Sequence, residues 1–293
     1  MNTLKAPMHT RWQMELPLDQ EEAVSDWLLE HGASAVYRDA DPPRRFYAYF
    51  PPNTAPPGPA GLAGFEGVSV INAERFADED WLTKSRMGFG SFEVGHSLYV
   101  RPVWDETPVP AGRIPLVVNP GLAFGTGGHE TTRLCMGLLE YLAQEKTVKD
   151  PVLDIGAGTG ILAFTAHLLG AKDVTALDVD PDCGPAMEEF MQLNSATAKQ
   201  PVPFTPLIGT LKDSHLNRKY NLLLANILLE TIQELLPLML QRLAPGGCLI
   251  ASGILTERQD EALLSLTLSD LKPIKLISEG EWIAVLAQGP LNS

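Results

Sequence analysis

The stretch PVLDIGAGTGILAF, residues 151–164, decides the fold. Its apolar run predicts a buried strand, and the next segment, 160–169, has the composition of a helix. Between them, Gly156, Gly158 and Gly160 form a tight turn. Ligands of open α/β sheets bind beyond the carboxyl ends of the strands, and glycines let a ligand approach the backbone without a Cβ in the way. The stretch therefore predicts a strand, a ligand-binding turn and a helix.

Downstream of this stretch, strand-like and helical runs alternate to the end of the chain. This alternation predicts a mostly parallel sheet with crossover helices on both faces, because strands covered on both sides are apolar at consecutive positions. The last two strands lie close enough in sequence to pair as a hairpin. The predicted strands are 151–156, 173–180, 220–226, 246–254, 272–278 and 281–287, and the predicted helices are 160–169, 184–194, 228–243 and 257–267.

The glycine spacing favours one class of ligand over another. A dinucleotide site has the pattern G-x-G-x-x-G/A, whose third small residue permits close packing of helix on strand. Counted from Gly156, that third place is Ile161, and the glycines run G-x-G-x-G instead. The spacing favours an adenosine ligand without pyrophosphate, and a nicotinamide oxidoreductase stays as a rival.

Two polar residues follow the next strands of the predicted sheet. Asp178 ends its strand 22 residues after Gly156, where a carboxylate can accept hydrogen bonds from both ribose hydroxyls. Asp180, which precedes Pro181, fits a helix N-cap better. Asn226 ends the strand YNLLLAN, and there its amide would face the reacting end of the ligand, unless it only satisfies a loop.

A loop rich in glycine and threonine, NPGLAFGTGGHETT (119–132), precedes the sheet and runs into a helix. Thr131 or Thr132 could cap that helix, and the hydroxyls and N–H groups at its N-terminus would also suit a carboxylate. His129 is a possible base, although a single histidine in a loop more often has a structural role.

The N-terminal part predicts a small α+β sandwich of its own. A strand at 11–16 is followed by a helix with Asp19 as N-cap, and then by strand-like runs at 33–38, 45–50 and 68–71. The stretch PPNTAPPGPAGLAG, residues 51–64, is predicted to be a loop or linker because of its proline and glycine content.

The amino-acid composition indicates which kinds of molecule the protein can bind. The 293 residues suffice for two domains, and the net charge of −14 makes naked nucleic acid a poor partner, because that affinity rests on Lys and Arg. A basic protein is the better expectation. The sequence contains three widely spaced cysteines and has neither metal-ligand spacing nor an apolar run long enough for a signal peptide or a membrane span. We therefore expect no metal and a cytoplasmic protein. Because the sequence has no coiled-coil seam, we also expect a monomer.

Four motifs taken in order, NPGLAFGTGGHETT, DIGAGTG, ALDVD and ANILLE, resemble the bacterial methyltransferases of ribosomal protein L11. The resemblance covers nearly the whole chain, and FGTGxHxTT is its most specific part. It implies a class I, Rossmann-like methyltransferase domain with a mostly parallel seven-stranded sheet whose last strand is antiparallel. It also implies a small ferredoxin-like domain in front that grips the ribosomal protein.

The resemblance further implies S-adenosylmethionine as the cofactor, with contacts at Thr132, Gly156, Gly158, Asp178 and Asn226. The domains would be 1–72 for substrate recognition, 73–110 as a linker region and 111–293 for methyl transfer. The sequence departs from the family's pattern in two places. Asn119 stands where an acidic residue is expected, and the proline-rich stretch at 51–64 is unusually long.

The implied reaction is transfer of methyl groups to lysine side-chain amines, and to the N-terminal amine, of ribosomal protein L11. Amide methyltransferases resemble one another in an NPPY-like run after this strand, whereas here the run is Asn226-Ile227-Leu228-Leu229, which favours an amine acceptor. No cysteine–histidine or paired-carboxylate arrangement indicates a dedicated base. The alternatives are a lysine methyltransferase acting on another protein and a non-catalytic assembly factor that holds the cofactor.

Overall fold

The computed structural model describes residues 8–17, 20–38, 45–52, 54–77, 90–119, 128–145, 148–198, 202–213 and 216–291. It divides into two compact units, Met1–Gly88 and Phe89–Ser293. Each unit has a hydrophobic core of its own.

The first unit is a four-stranded antiparallel sheet with one α-helix. Its elements are β1 (Met8–Glu15), α1 (Glu21–Glu30), β2 (Ala35–Arg38), β3 (Phe46–Phe50) and β4 (Ser69–Ala77). The strand order is β2-β3-β1-β4, with α1 connecting the first two strands in sequence. The predicted α+β arrangement is confirmed, because alternate residues of β1 and β3 are buried against α1 in one core. That core includes Trp12, Met14, Val24, Leu28, Phe46 and Phe50.

Three details of the first unit differ from the sequence prediction. The proline-rich stretch is not all loop, since Pro59–Gly64 forms a 3-10 helix whose Leu62 is buried. Proline has its φ preset for a helical first turn, so a short helix is compatible with this composition. The N-cap of α1 is Gln20, and Asp19 lies outside the described residues. Strand β4 runs five residues past the predicted domain end at residue 72.

The second unit begins with a small three-stranded sheet. Its strands are β5 (Phe92–Val94), β6 (Leu98–Pro102) and β7 (Ile114–Val118), and the first two lie within the region 73–110 that was predicted to be a linker. The turn between β5 and β6 is fixed by the buried carboxylate of Glu140, which accepts hydrogen bonds from the backbone N–H groups of His96 and Ser97 at 2.8 and 2.7 Å. This carboxylate ties the small sheet to the helix that follows it.

The main sheet of the second unit has seven strands in the order β10-β9-β8-β11-β12-β14-β13. The first five in this order are parallel, and β14 pairs antiparallel with both β12 and β13. The predicted mostly parallel sheet with a closing hairpin is confirmed. The strands are β8 (Val152–Ile155), β9 (Val174–Asp178), β10 (Thr205–Ile208), β11 (Tyr220–Asn226), β12 (Leu243–Leu255), β13 (Lys272–Glu279) and β14 (Trp282–Gln288).

Helices cover both faces of this sheet, as two separate clusters of buried residues show. They are α2 (Glu130–Gln144), α3 (Ile161–Leu168), α4 (Cys183–Leu193), α5 (Leu229–Arg242) and α6 (Gln259–Leu268). Within the described parts of the chain, none of the helices is long and apolar enough to cross a membrane.

Candidate functional site

The glycine turn follows the carboxyl end of β8, and its backbone has a conformation that only glycine adopts readily. Gly156, Gly158 and Gly160 have φ values of +71°, +56° and +81°. The turn is attached to the neighbouring strand, because the N–H groups of Gly156 and Ala157 both donate to the carbonyl of Leu177, at 2.9 and 3.0 Å. The predicted turn therefore has a fixed backbone at the edge where ligands of such sheets bind.

The carboxylate of Asp178 lies beside this turn. Its Oδ2 accepts a hydrogen bond from the N–H of Gly158 at 2.8 Å, and its Oδ1 accepts one from the N–H of Asp180 at 3.0 Å. Burial, together with the Asp178 carboxylate, raises the pKa of the Cys183 thiol to about 12, so the neighbouring thiol stays protonated. The N-cap of α4 is Asp182 rather than Asp180, whose carboxylate accepts from the Asp182 N–H instead.

Asn226 lies at the carboxyl end of β11 and contacts the start of α2. Its Nδ2 donates to Oγ1 of Thr132 at 3.3 Å, and Thr132 is itself buried. The residue after it, Ile227, packs against the glycine turn so closely that a Cβ added at Gly156 would meet its Cγ2 at 2.5 Å. The structure thus brings Gly156, Asn226 and Thr132 together, although 94 residues separate the last two in sequence.

Helix α2 is capped by His129, not by the threonines that the sequence suggested. The N–H of Thr131 donates to Nδ1 of His129 at 3.3 Å, and both threonines are buried inside the helix. Burial lowers the pKa of His129 despite the nearby Glu130, which favours the neutral imidazole. Most of the loop before it, residues 120–127, lies outside the described residues. Asn119 donates to Oε1 of Glu189 at 2.7 Å.

Asp154, the first residue of the glycine motif, is a fully buried carboxylate that was not singled out as a site residue. Its Oδ2 accepts from the N–H of Ala163 at 3.0 Å, but its Oδ1 is the one buried carboxylate oxygen without a hydrogen-bond partner among the described residues. Burial raises the pKa of Asp154 from 3.8 to about 7, and the nearby Asp178 adds to the shift. A cationic ligand bound in the turn would relieve both the missing partner and the cost of the buried charge.

Replacing Asp154 should stabilise the ligand-free protein at alkaline pH. Between pH 3.8 and about 7 the native state holds a proton that the unfolded chain has lost, so the free energy of unfolding falls as the pH rises, and the full penalty remains above pH 7. We expect Asp154→Asn to raise the free energy of unfolding by about 2–4 kcal/mol at pH 8 and by less than about 0.5 kcal/mol at pH 4. Urea unfolding at both pH values measures this difference.

The matched control for this experiment is Asp182→Asn, which changes an exposed aspartate on the same side of the sheet. This control should show no gain that grows with pH. An Asp154→Asn protein that is no more stable than the parent at pH 8 would contradict the buried-charge interpretation.

Several residues that contact the site could not be identified from the sequence. Ile227 and Phe204 pack where a Cβ of Gly156 or of Gly160 would lie, each at 2.5 Å. Trp282 at the start of β14 stacks edge-on against His129, with 5.0 Å between ring centroids. Because hydrophobic residues in strands and loops are ordinary, their positions at the site could be found only from the three-dimensional arrangement. No group of three or more His, Cys, Asp or Glu side chains within the described ranges could hold a metal ion.

Comparisons with known proteins point to one family. A family model described as Ribosomal protein L11 methyltransferase (PrmA) matches residues 63–289. A protein of Geotalea uraniireducens with that name is 32% identical over 314 aligned residues, covering 94% of this chain and 97% of the relative. A protein of the same name from Pelobacter propionicus is 39% identical, and the alignment covers 71% of this chain and 66% of the relative.

A solved structure agrees with these relatives. The crystal structure of ribosomal protein L11 methylase from Lactobacillus delbrueckii subsp. bulgaricus is 30% identical in sequence and superimposes with a TM-score of 0.59. The match covers 69% of this chain and 100% of the solved chain.

Proposed function

Because this chain belongs to the ribosomal protein L11 methyltransferase family, we propose that it transfers methyl groups from S-adenosylmethionine to lysine side-chain amines, and to the N-terminal amine, of ribosomal protein L11. The observation that carries the proposal is the convergence at one sheet edge of the glycine turn, Asp178 and the Asn226–Thr132 pair. These are the positions at which the resemblance of the motifs placed the cofactor.

The residues present fit this cofactor. The sulfonium and ammonium groups of S-adenosylmethionine are cationic, and Asp154 offers a buried carboxylate oxygen without a partner. Asp178 would accept hydrogen bonds from the ribose hydroxyls, and the backbone of Gly156 and Gly158 would contact the cofactor at the carboxyl edge of the sheet. Thr132 and Asn226 would position the methionine end. When bound, the cofactor supplies an electrophilic methyl group.

The chain's contribution to chemistry would be to bring a neutral amine into line with that methyl group. A lysine has a pKa of about 10.4, so roughly one molecule in a thousand is neutral at pH 7.4, and deprotonation costs about 4 kcal/mol. A pocket shielded from water lowers that pKa by disfavouring the charged form, and a cationic cofactor acts in the same direction. Positioning by Asn226 would then supply most of the rate enhancement through effective molarity.

No dedicated base is assigned in this mechanism. His129 is the candidate that the sequence suggests, but its Nδ1 is engaged with Thr131 at the N-terminus of α2. Its role at this position is that of a helix cap.

We expect His129→Ala to lower methyl transfer by less than about tenfold. Loss of the cap should cost about 1 kcal/mol of stability, and His129→Asn, which keeps a capping side chain, should recover most of it. Initial rates with saturating cofactor, measured together with melting temperatures, test this. A loss of about 100- to 10,000-fold on His129→Ala, the range typical of general-base removal, would contradict the mechanism without a base.

The first unit would recognise the protein substrate, and the second would carry out the transfer, in the cytoplasm and as a monomer without nucleic acid. An acidic chain, with a net charge of −14, suits a basic protein partner. A second protein client is the alternative, and the same lysine chemistry would serve it.

Peptide mapping of the methylated product tests the amine chemistry. The proposal expects every added methyl group on lysine Nε atoms or on the N-terminal nitrogen. Methyl groups on glutamine or asparagine amides would contradict it, because those acceptors need a different arrangement after β11.

A further inference from the structure

A groove of about 440 Å³ lies on the second unit, alongside the first turns of α2. The apolar side chains of its wall come from three elements that are distant in sequence. They are Phe92 and Val94 of β5, Leu134 of α2 and Ile277 of β13. Glu93, Arg133 and Glu279 add charged groups to the same wall.

The groove adjoins the candidate site through a short chain of contacts. Glu279, at one end of the groove, is paired with Trp282 in the sheet register. Trp282 contacts the ring of His129, and His129 holds the N-terminus of the helix on which Thr132 meets Asn226. Arg133, which lines the groove, directly follows Thr132 in sequence. One turn of α2 therefore has Thr132 at the site and Arg133 in the groove.

The arginine in the groove is already neutralised. The Nε and Nη2 atoms of Arg133 donate to Oε1 of Glu279 at 2.9 and 2.6 Å, and Glu130 lies 3.5 Å away. The guanidinium also lies over the ring of Phe92, 5.7 Å from its centroid. Arg133 is thus held against the wall and does not repel an incoming cation as a free arginine would.

Carboxylates outnumber cations around the groove. Glu93, Glu130 and Glu279 are each more than a third exposed. These three carboxylates form ion pairs with two guanidinium groups, since Arg113 pairs with Glu93 and Arg133 pairs with both Glu130 and Glu279. The excess negative charge, set beside apolar side chains, suits the lysine side chain, whose long methylene stem is apolar and whose end is cationic.

We propose that this groove receives a lysine-bearing, cationic segment of the protein substrate and guides it to the Asn226–Thr132 edge of the site. The inference rests on the proposed function, which it extends by naming the surface that binds the acceptor protein. Attraction of this kind acts mainly on association and on register, so it affects the KM for the protein substrate more than the turnover of bound substrate.

The test compares four forms of the full chain, with ribosomal protein L11 as the acceptor. The first is the parent, and the second is Glu93→Gln/Glu279→Gln, which neutralises the groove. The third, Glu93→Asp/Glu279→Asp, keeps its charge. The fourth, Glu188→Gln/Glu234→Gln, neutralises two exposed carboxylates on α4 and α5. For each form, KM and kcat are measured at low and at physiological ionic strength, along with the Kd for S-adenosylmethionine.

We expect the groove variant to raise the KM about tenfold at low salt, with kcat and cofactor Kd within about twofold of the parent. Its KM should depend less on salt than the parent's, because it lacks the carboxylates whose attraction for the substrate is screened by salt. The aspartate and remote variants should behave like the parent. An unchanged KM in the groove variant, or an equal rise in the remote variant, would overturn the proposal. Failure of the proposed function is a different result, in which the parent itself transfers no methyl group to this acceptor.

Discussion

Removal of residues 1–88 should severely impair methylation of ribosomal protein L11 and leave cofactor binding unchanged. The second unit, Phe89–Ser293, keeps its own core and all of the described site residues. If the first unit recognises the protein substrate, its loss removes binding energy for that substrate alone. We expect kcat/KM to fall by about 100-fold or more, which corresponds to about 2.7 kcal/mol or more of lost binding to the transition state.

The cut follows the structure, since a truncation at residue 72 would divide β4, Ser69–Ala77. Calorimetric titration with S-adenosylmethionine provides the control, because it reports the second unit's integrity without the protein substrate. A truncated chain that methylates ribosomal protein L11 with the parent's kcat/KM would refute the recognition role of the first unit.

Asp178→Ala is the point substitution with the largest expected effect on cofactor binding. We expect binding of S-adenosylmethionine to weaken by about 1.5–3 kcal/mol, or about 10- to 150-fold, through loss of hydrogen bonds to a charged acceptor. The structure adds a second contribution in the same direction, because Oδ2 of Asp178 also holds the N–H of Gly158 in the turn. Calorimetry at constant salt measures the change in Kd.

Asp180→Ala is the matched control for this substitution. It removes a carboxylate two residues away that accepts from the Asp182 N–H, but leaves the backbone N–H that donates to Asp178. We expect its Kd to lie within about threefold of the parent. Equal affinities for the parent and for Asp178→Ala would mean that the ribose ligand is another residue.

The central elements of the sheet could be predicted because each leaves a local signal. Val152–Ile155 and Tyr220–Asn226 are mostly apolar, with Asp154, Asn221 and Asn226 as their polar residues, and such runs are typical of parallel strands covered on both faces. Their order along the chain, with helices between them, fixes which polar residues reach the carboxyl edge. Asp178 and Asn226 could be placed at the same edge for that reason, and the structure puts both there.

Other features could not be predicted because their cause lies in distant residues. Strand β10, Thr205–Ile208, is four residues long and contains a proline, and only its pairing with β9 makes it a strand. The contact of Ile227 with the glycine turn depends on the packing of β8 beside β11, and the sequence of neither strand indicates it.

The N-cap of α2 and the buried carboxylate of Asp154 are two side-chain features that also depend on distant residues and could not be predicted from the local sequence. His129 caps the helix although serine, threonine, asparagine and aspartate are the usual N-caps, because the two threonines after it are drawn into the buried face. Asp154 is recognisable in the motif, but its unpartnered oxygen follows from complete burial, which no local pattern reports.

Intact-mass spectrometry of purified ribosomal protein L11, after incubation with this protein and S-adenosylmethionine, tests the central claim most directly. Methyl transfer to amines predicts mass gains in steps of about 14 Da, since each methyl group replaces one hydrogen. The gains should be absent when S-adenosylhomocysteine replaces the methyl donor. An acceptor of unchanged mass, with cofactor binding shown separately by calorimetry, would contradict the assignment of ribosomal protein L11 as the substrate.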